Sequence, residues 1–294
     1  MGNYSIKDLE KLSGIKAHTI RIWEKRYQLI KPERTCTNIR LYSDCDLRRI
    51  MNVSILNRRG LKISLIASLS EEEMRDKIVM LTQNSFTQDD QVENLVVSMI
   101  DLDETRFEKI ISASILKIGF EETFYKVVFP LLDKIGLLWQ AGTINPAQEH
   151  FITNLLRQKL IVAIDGIIPA PLPTPKMFIL FLPEGEFHEL GLLYYYYLIK
   201  KRGHKVLYLG SSVPVRDLAD IVRNVTADYL VSFFVTNIDR KIYAEFLRIF
   251  RHEFNQCQVI LSGIVSRNSS EPLPPNVSIF KSPPDFNQML AKIQ

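Results

Sequence analysis

The chain has 294 residues, 46% hydrophobic and 24% charged, which suits two or three globular domains and excludes a disordered or collagen-like chain. No apolar run reaches the roughly 18 residues of a membrane helix, and the start lacks the charged-then-apolar pattern of a secretory leader. Three cysteines (Cys36, Cys45, Cys257) in no paired spacing argue against a disulfide scaffold or a structural zinc site and fit a reducing cytoplasm.

The net charge of +4 is uneven: residues 1–70 hold 14 Lys and Arg against 6 Asp and Glu, and the remainder is net negative. A basic head on a mildly acidic body is the charge pattern of a nucleic-acid reader with a separate sensing or assembly region.

The head begins with Ser5, placed to cap a helix whose Ile6, Leu9 and Leu12 share one face; Gly14 ends it. A second helix is predicted from about Lys16 to Tyr27, with Ile20 and Trp23 inward. Two short helices joined by a tight turn read as a helix-turn-helix. The second one offers Lys16, His18, Thr19, Arg21, Lys25 and Arg26, first-turn side chains for base edges and cations for phosphates. Residues 28–42 lack helical period and read as a basic β-hairpin with a Thr37-Asn38 tip, a wing. Ser43 then caps a helix carrying Leu47, Ile50, Met51, Ile55 and Leu56, closed by Arg58-Arg59-Gly60, and another begins at 61–66.

The polar run 71–94 reads as a partly helical connector, and 95–168 as a helix bundle. In it Phe107, Ile110, Ile111 and Ile115 follow a helical period, Pro130 predicts a kink, Gly142 a stop, and Asn145-Pro146 a restart. The proline-rich 169–175 reads as a stiff linker and domain boundary. Beyond it, strands at 177–182, 205–209, 229–235, 258–261 and 277–280 alternate with helices at 192–202, 216–224 and 241–254. A short tail helix follows. Such alternation predicts a doubly wound parallel sheet over 176–294.

Residues 4–69 resemble the winged helix-turn-helix of the MerR family of bacterial regulators. The resemblance is carried by Tyr4-Ser5-Ile6, the 20–27 run Ile-Arg-Ile-Trp-Glu-Lys-Arg-Tyr, Pro32-Glu33-Arg34-Thr35 and Arg40-Leu41-Tyr42-Ser43. The Trp23-Glu24-x-Arg26-Tyr27 run is most similar to the light-responsive CarA, CarH and LitR branch. The resemblance implies Arg21, Arg26, Arg34, Arg40 and Tyr42 as phosphate or groove contacts. It also implies a dimer or larger assembly on an inverted repeat in double-stranded DNA.

In the body, Glu186-x-His188-x-x-Gly191 falls in the loop after the first strand of the sheet. Ligands of open parallel sheets bind there, and a carboxylate two residues before a histidine can hold its second ring nitrogen. The run is similar to the Asp-x-His-x-x-Gly signature of cobalamin-binding domains, with Ser232 and the Ser262-Gly263 pair at the distances of that family's later signatures. The resemblance implies a flavodoxin-like cobalamin-binding fold, with His188 below the cobalt and the nucleotide tail entering a slot in the sheet. In the bundle, Trp139 and, after nine intervening residues, Glu149-His150 resemble the CarH-type pattern that covers the upper face of adenosylcobalamin.

Four departures stand beside the resemblance. Glu186 replaces Asp. Phe233, Phe234 and Ser262 put bulk where the family keeps an open slot. Tyr194 to Tyr197 must bury at least one ring. Gln140 stands where the photoreceptors carry a cobalt-capturing His. The reading is therefore a cytoplasmic DNA-binding regulator, not an enzyme, that senses a cobalamin (adenosylcobalamin or methylcobalamin), with light as a candidate stimulus. The alternative is a degenerate body that oligomerises or binds a partner protein.

Overall fold

The computed structural model describes residues 4–35, 38–82, 88–140, 144–169, 171–236, 238, 240–268 and 271–293. Cys36, the wing-tip Thr37, and Gly142 lie outside them. Two compact units form, Met1–Leu155 and Leu156–Gln294.

The first unit opens with α1 (Ile6–Ser13) and α2 (Ala17–Tyr27). Ser5 and Asp8 exchange side-chain-to-backbone bonds in a capping box, and Gly14 closes α1 in the left-handed conformation at φ 71°. The wing is a two-stranded antiparallel ribbon, β1 (Glu33–Arg34) and β2 (Arg40–Leu41), with Tyr4 bridging to Tyr42 beside it. A second capping box, Ser43 with Asp46, starts α3 (Asp44–Arg58); α4 (Ile63–Ser68) and α5 (Glu71–Thr82) follow. Leu9, Leu12, Ile20, Leu47, Ile50 and Met51 are buried together with Tyr4 and Tyr42, which gives the head its own apolar core.

The bundle contains α6 (Gln88–Asp101), α7 (Glu104–Ile118), α8 (Phe120–Thr123), α9 (Phe129–Gln140) and the start of α10 (Pro146–Asp165). A π-turn over Phe124–Val128 joins α8 to α9. Pro130 lacks an N–H and its ring would clash with the preceding turn, and the wide turn just upstream absorbs that conflict. Asn145 Oδ1 accepts from Ala147 N at 2.8 Å, so Asn145 and Pro146 start α10 as expected.

The run 71–94 is helical over Glu71–Thr82 and again from Gln88. From Gln88 it is the first half of a bundle helix, and Asp90, Glu93 and Asn94 are buried. Their charges meet the head: Arg59 lies 3.2 Å from Asp90 and Arg58 contacts Glu93.

The second unit starts inside α10, so the proline segment does not divide the two units. Within this unit the end of α10 is held to the sheet's first helix by Lys200 Nζ, which donates to Ile164 O at 2.7 Å. The strands are β3 (Met177–Pro183), β4 (Lys205–Val213), β5 (Tyr229–Phe233), β6 (Gln258–Ser262) and β7 (Val277–Ile279). All pair in parallel, in the order β4-β3-β5-β6-β7. The helices are α11 (Leu190–Lys201), α12 (Val215–Val225), α13 (Arg240–Glu253), α14 (Ile264–Asn268) and α15 (Pro283–Lys292). This is the flavodoxin-like doubly wound topology, whose strand order reverses between β3 and β5. Leu218, Val222, Tyr243, Leu247 and Phe250 of α12 and α13 pack on Ile179, Leu230 and Val259 of one sheet face.

Candidate functional site

In the second unit the loop after β3 lies at the strand-order reversal, where open parallel sheets hold ligands. Glu186 organises it. Its Oε1 accepts from Phe187 N (3.0 Å), His188 N (3.1 Å) and His188 Nδ1 (2.7 Å). Its Oε2 accepts from Val235 N (3.0 Å), Thr236 N (2.7 Å) and Thr236 Oγ1 (2.8 Å), just beyond β5. Burial alone would raise this carboxyl. Donation from His188, from the Thr236 backbone and hydroxyl, and from the His188 backbone outweighs burial and holds it at about 2. The other flank is tied to β4: Gly185 N donates to Ser212 Oγ at 3.1 Å, and Ser212 N to Glu186 O at 3.1 Å.

The His188 ring is thereby fixed at Nδ1 while 59% of its side chain faces solvent. The longer Glu reaches both the histidine and the β5 loop. Gly191 lies in the first turn of α11, and a Cβ there would meet only Phe233 at 4.0 Å.

The later signature residues lie inside the sheet domain. Ser232 and Ser262 are fully buried; the Ser262 hydroxyl donates to Phe280 O at 2.9 Å, and Ser232 Oγ has no partner among the described residues. Gly263 has φ 102°, and a Cβ there would fall 2.2 Å from Phe234 O, so glycine is required by the neighbouring backbone. Three of the four consecutive tyrosines, Tyr194, Tyr195 and Tyr197, are buried; Tyr196 stacks on Tyr208.

In the first unit, Trp139 is 52% exposed near the end of α9. Glu149 lies in the first turn of α10 and His150 just after it, with Glu149 Oε2 3.2 Å from His150 Nδ1. No hydrogen bond or ring contact joins Trp139 to that pair among the described residues. The Gln140 side chain lies outside the described residues.

The head presents its cations along α2 and the wing. Lys16, His18, Arg21, Lys25 and Arg26 are exposed, Thr19 is half-buried, and Arg34 is exposed on β1. One expected contact is corrected. Tyr42 is fully buried, its hydroxyl donating to Glu24 Oε2 at 3.2 Å, and burial followed by the Glu24 charge raises its pKa. Arg40 is engaged by Glu24 Oε1 at 3.0 Å, so it braces the wing against α2. Ile22, on the same helix, is exposed as well.

Residues 4–73 match the model of the MerR HTH family regulatory proteins, and residues 91–163 that of the B12 binding domain. The chain is 28% identical to the HTH-type transcriptional repressor CarH of Myxococcus xanthus, over 77% of each chain. It is 26% identical to the repressor CarA of the same organism, over 89% of this chain and 87% of the relative. The chain is a homologue of CarH and CarA. Its MerR-type head is the winged unit described above, and its B12-binding match falls on α6 to α10. The Methanosarcina barkeri monomethylamine corrinoid protein aligns with 71% of this chain and 100% of its own, at 10% identity and a TM-score of 0.51, a likeness of fold.

The match to the B12 binding domain implies a corrinoid, and this chain's residues fit one in part. The Glu186-His188 loop has the donor set, one exposed imidazole held at its other nitrogen. Among the described residues, aromatic rings occupy the sheet face beneath α11.

Proposed function

We propose that the protein is a cytoplasmic transcriptional repressor that binds an inverted repeat in duplex DNA as a dimer or larger assembly and is controlled by a corrinoid. The observation that carries this reading is the pre-formed His188 loop at the strand-order reversal, in a chain that also has a MerR-type head. Lys16, His18 and Thr19 meet base edges, and Arg21, Arg26 and Arg34 meet phosphates. His188, oriented by Glu186, would hold the cobalt of a corrinoid, and Trp139, Glu149 and His150 would contact the group that the cobalt carries. When bound, a corrinoid would supply a cobalt centre whose ligands exchange and whose alkyl group light can release. The chain performs no catalytic step in this reading.

Purified protein mixed with adenosylcobalamin in the dark should retain colour through gel filtration. His188→Ala should lose the histidine-ligated spectrum, and illumination should change the mobility of the DNA complex. A second reading, a body that only assembles or binds a partner protein, is favoured by the ring-filled sheet face. A colourless wild-type protein of unchanged size and DNA affinity would select it.

A further inference from the structure

The face of the sheet under α11 and α15 ends in four aromatic rings. Tyr195 comes from α11, Phe233 ends β5, Phe280 follows β7 and Phe286 lies on α15; all four are buried. Tyr195 stacks on Phe233 at 5.1 Å and meets Phe280 and Phe286 edge-on at 4.8 and 4.7 Å. Phe280 lies 5.7 Å from Phe233 and 4.9 Å from Phe286. These separations are those of rings in direct contact, so no ring-sized gap is left among them. Gly191, the last residue of the histidine signature, abuts Phe233 itself. Ser262 pairs with Phe233 on this same face, where its hydroxyl is buried and donates to Phe280 O.

Admitting a benzimidazole nucleotide here would mean expelling at least one aromatic side chain, each burying roughly 150–250 Å². The loop above needs no such change, since Glu186 accepts six bonds, two of them from His188, whose side chain is exposed. The two observations separate recognition of the corrin ring from recognition of its tail.

Resting on the corrinoid-sensing reading above, we infer that this protein holds a corrinoid by its ring and cobalt alone, with the nucleotide tail left in solvent. The ligand class is therefore corrinoids at large, including tail-less cobinamides. The sign of the preference follows. In cobalamin the molecule's own base competes with His188 for the lower position, and once displaced it gains nothing from the protein. A cobinamide carries no such competitor.

The test is a dark titration of the full chain with adenosylcobinamide and with adenosylcobalamin, followed by absorbance. The expected result is a Kd for the cobinamide equal to or below that for the cobalamin. Cobalamin binding tenfold or more tighter, about 1.4 kcal/mol, would overturn the inference and leave the corrinoid reading standing. Binding of neither would instead bring down that reading, and the inference with it. Phe233→Ala, or the milder Phe233→Leu if the first does not fold, opens the plug from one side. It should move the ratio toward cobalamin by about threefold or more, and an unchanged ratio counts against the plug.

Discussion

Glu186 is a carboxylate withdrawn from water at the mouth of a sheet, and its cost is met by six donors, three to each oxygen. Its folded pKa, held at about 2, lies below the ordinary value of 4.5. A depressed acid adds stability that is fully present above its unfolded pKa and is lost as pH falls through the folded one. The contribution is on the order of 3 kcal/mol at neutral pH and fades between about 4.5 and 2. Glu186→Gln should therefore destabilise the second unit by about 2–4 kcal/mol at pH 7, and the gap to wild type should close as pH drops through that window. Urea unfolding across a pH series reads it, and a pH-independent gap would contradict the assignment. The same substitution should loosen the His188 ring. The Glu-x-His spacing was legible because both residues share one short loop. Which of four tyrosines points at Phe233 was not, because that depends on how α11 is rotated over the sheet.

Helices α1, α3, α6 and α9 meet in one charged junction of the first unit. Lys134 on α9 donates to Leu12 O at the end of α1, at 3.1 Å, and its Nζ is 3.8 Å from Glu93 Oε1 on α6. Arg58, the last residue of α3, contacts the other Glu93 oxygen. Burial raises Glu93 to about 7 against the pull of Lys134 and Arg58, and burial lowers Lys134. A raised acid gives its stability below the unfolded pKa and loses it as pH rises through the folded value, here between about 4.5 and 7. Lys134→Met leaves Glu93 with less positive charge and the Leu12 carbonyl without this donor. It should destabilise the first unit by about 1–3 kcal/mol, more at pH 8 than at pH 6, as read from urea midpoints at the two pH values. An equal loss at both would remove Glu93 from the junction. This junction also marks where sequence reading stopped. Caps, breakers and strand–helix alternation placed nearly every element of the head and the sheet, because local residues determine them. The burial of Asp90 and Glu93 inside what reads as a connector was not legible, because charge is ordinarily exposed and their partners Arg58, Arg59 and Lys134 are distant in sequence.

Charge is segregated along the whole chain, with the first 70 residues strongly basic and the rest net negative. The acidic body adds nothing to phosphate binding, so salt dependence should report on the cations of α2 and the wing alone. Arg21, Arg26 and Arg34 are exposed, whereas Arg40 and Tyr42 are spent on Glu24 inside the head. The two groups should therefore respond differently. With a duplex selected by the protein from random sequence, Arg26→Gln or Arg34→Gln should weaken binding similarly on specific and non-specific DNA. Each should lower the slope of log affinity against log salt by about 1. Tyr42→Phe should leave that slope unchanged and cost about 1 kcal/mol of head stability instead, through the lost bond to Glu24. Fluorescence anisotropy from low to moderate salt separates the two. A slope that falls in Tyr42→Phe would return the tyrosine to the DNA interface, and one unmoved by either arginine would take the wing and α2 out of it.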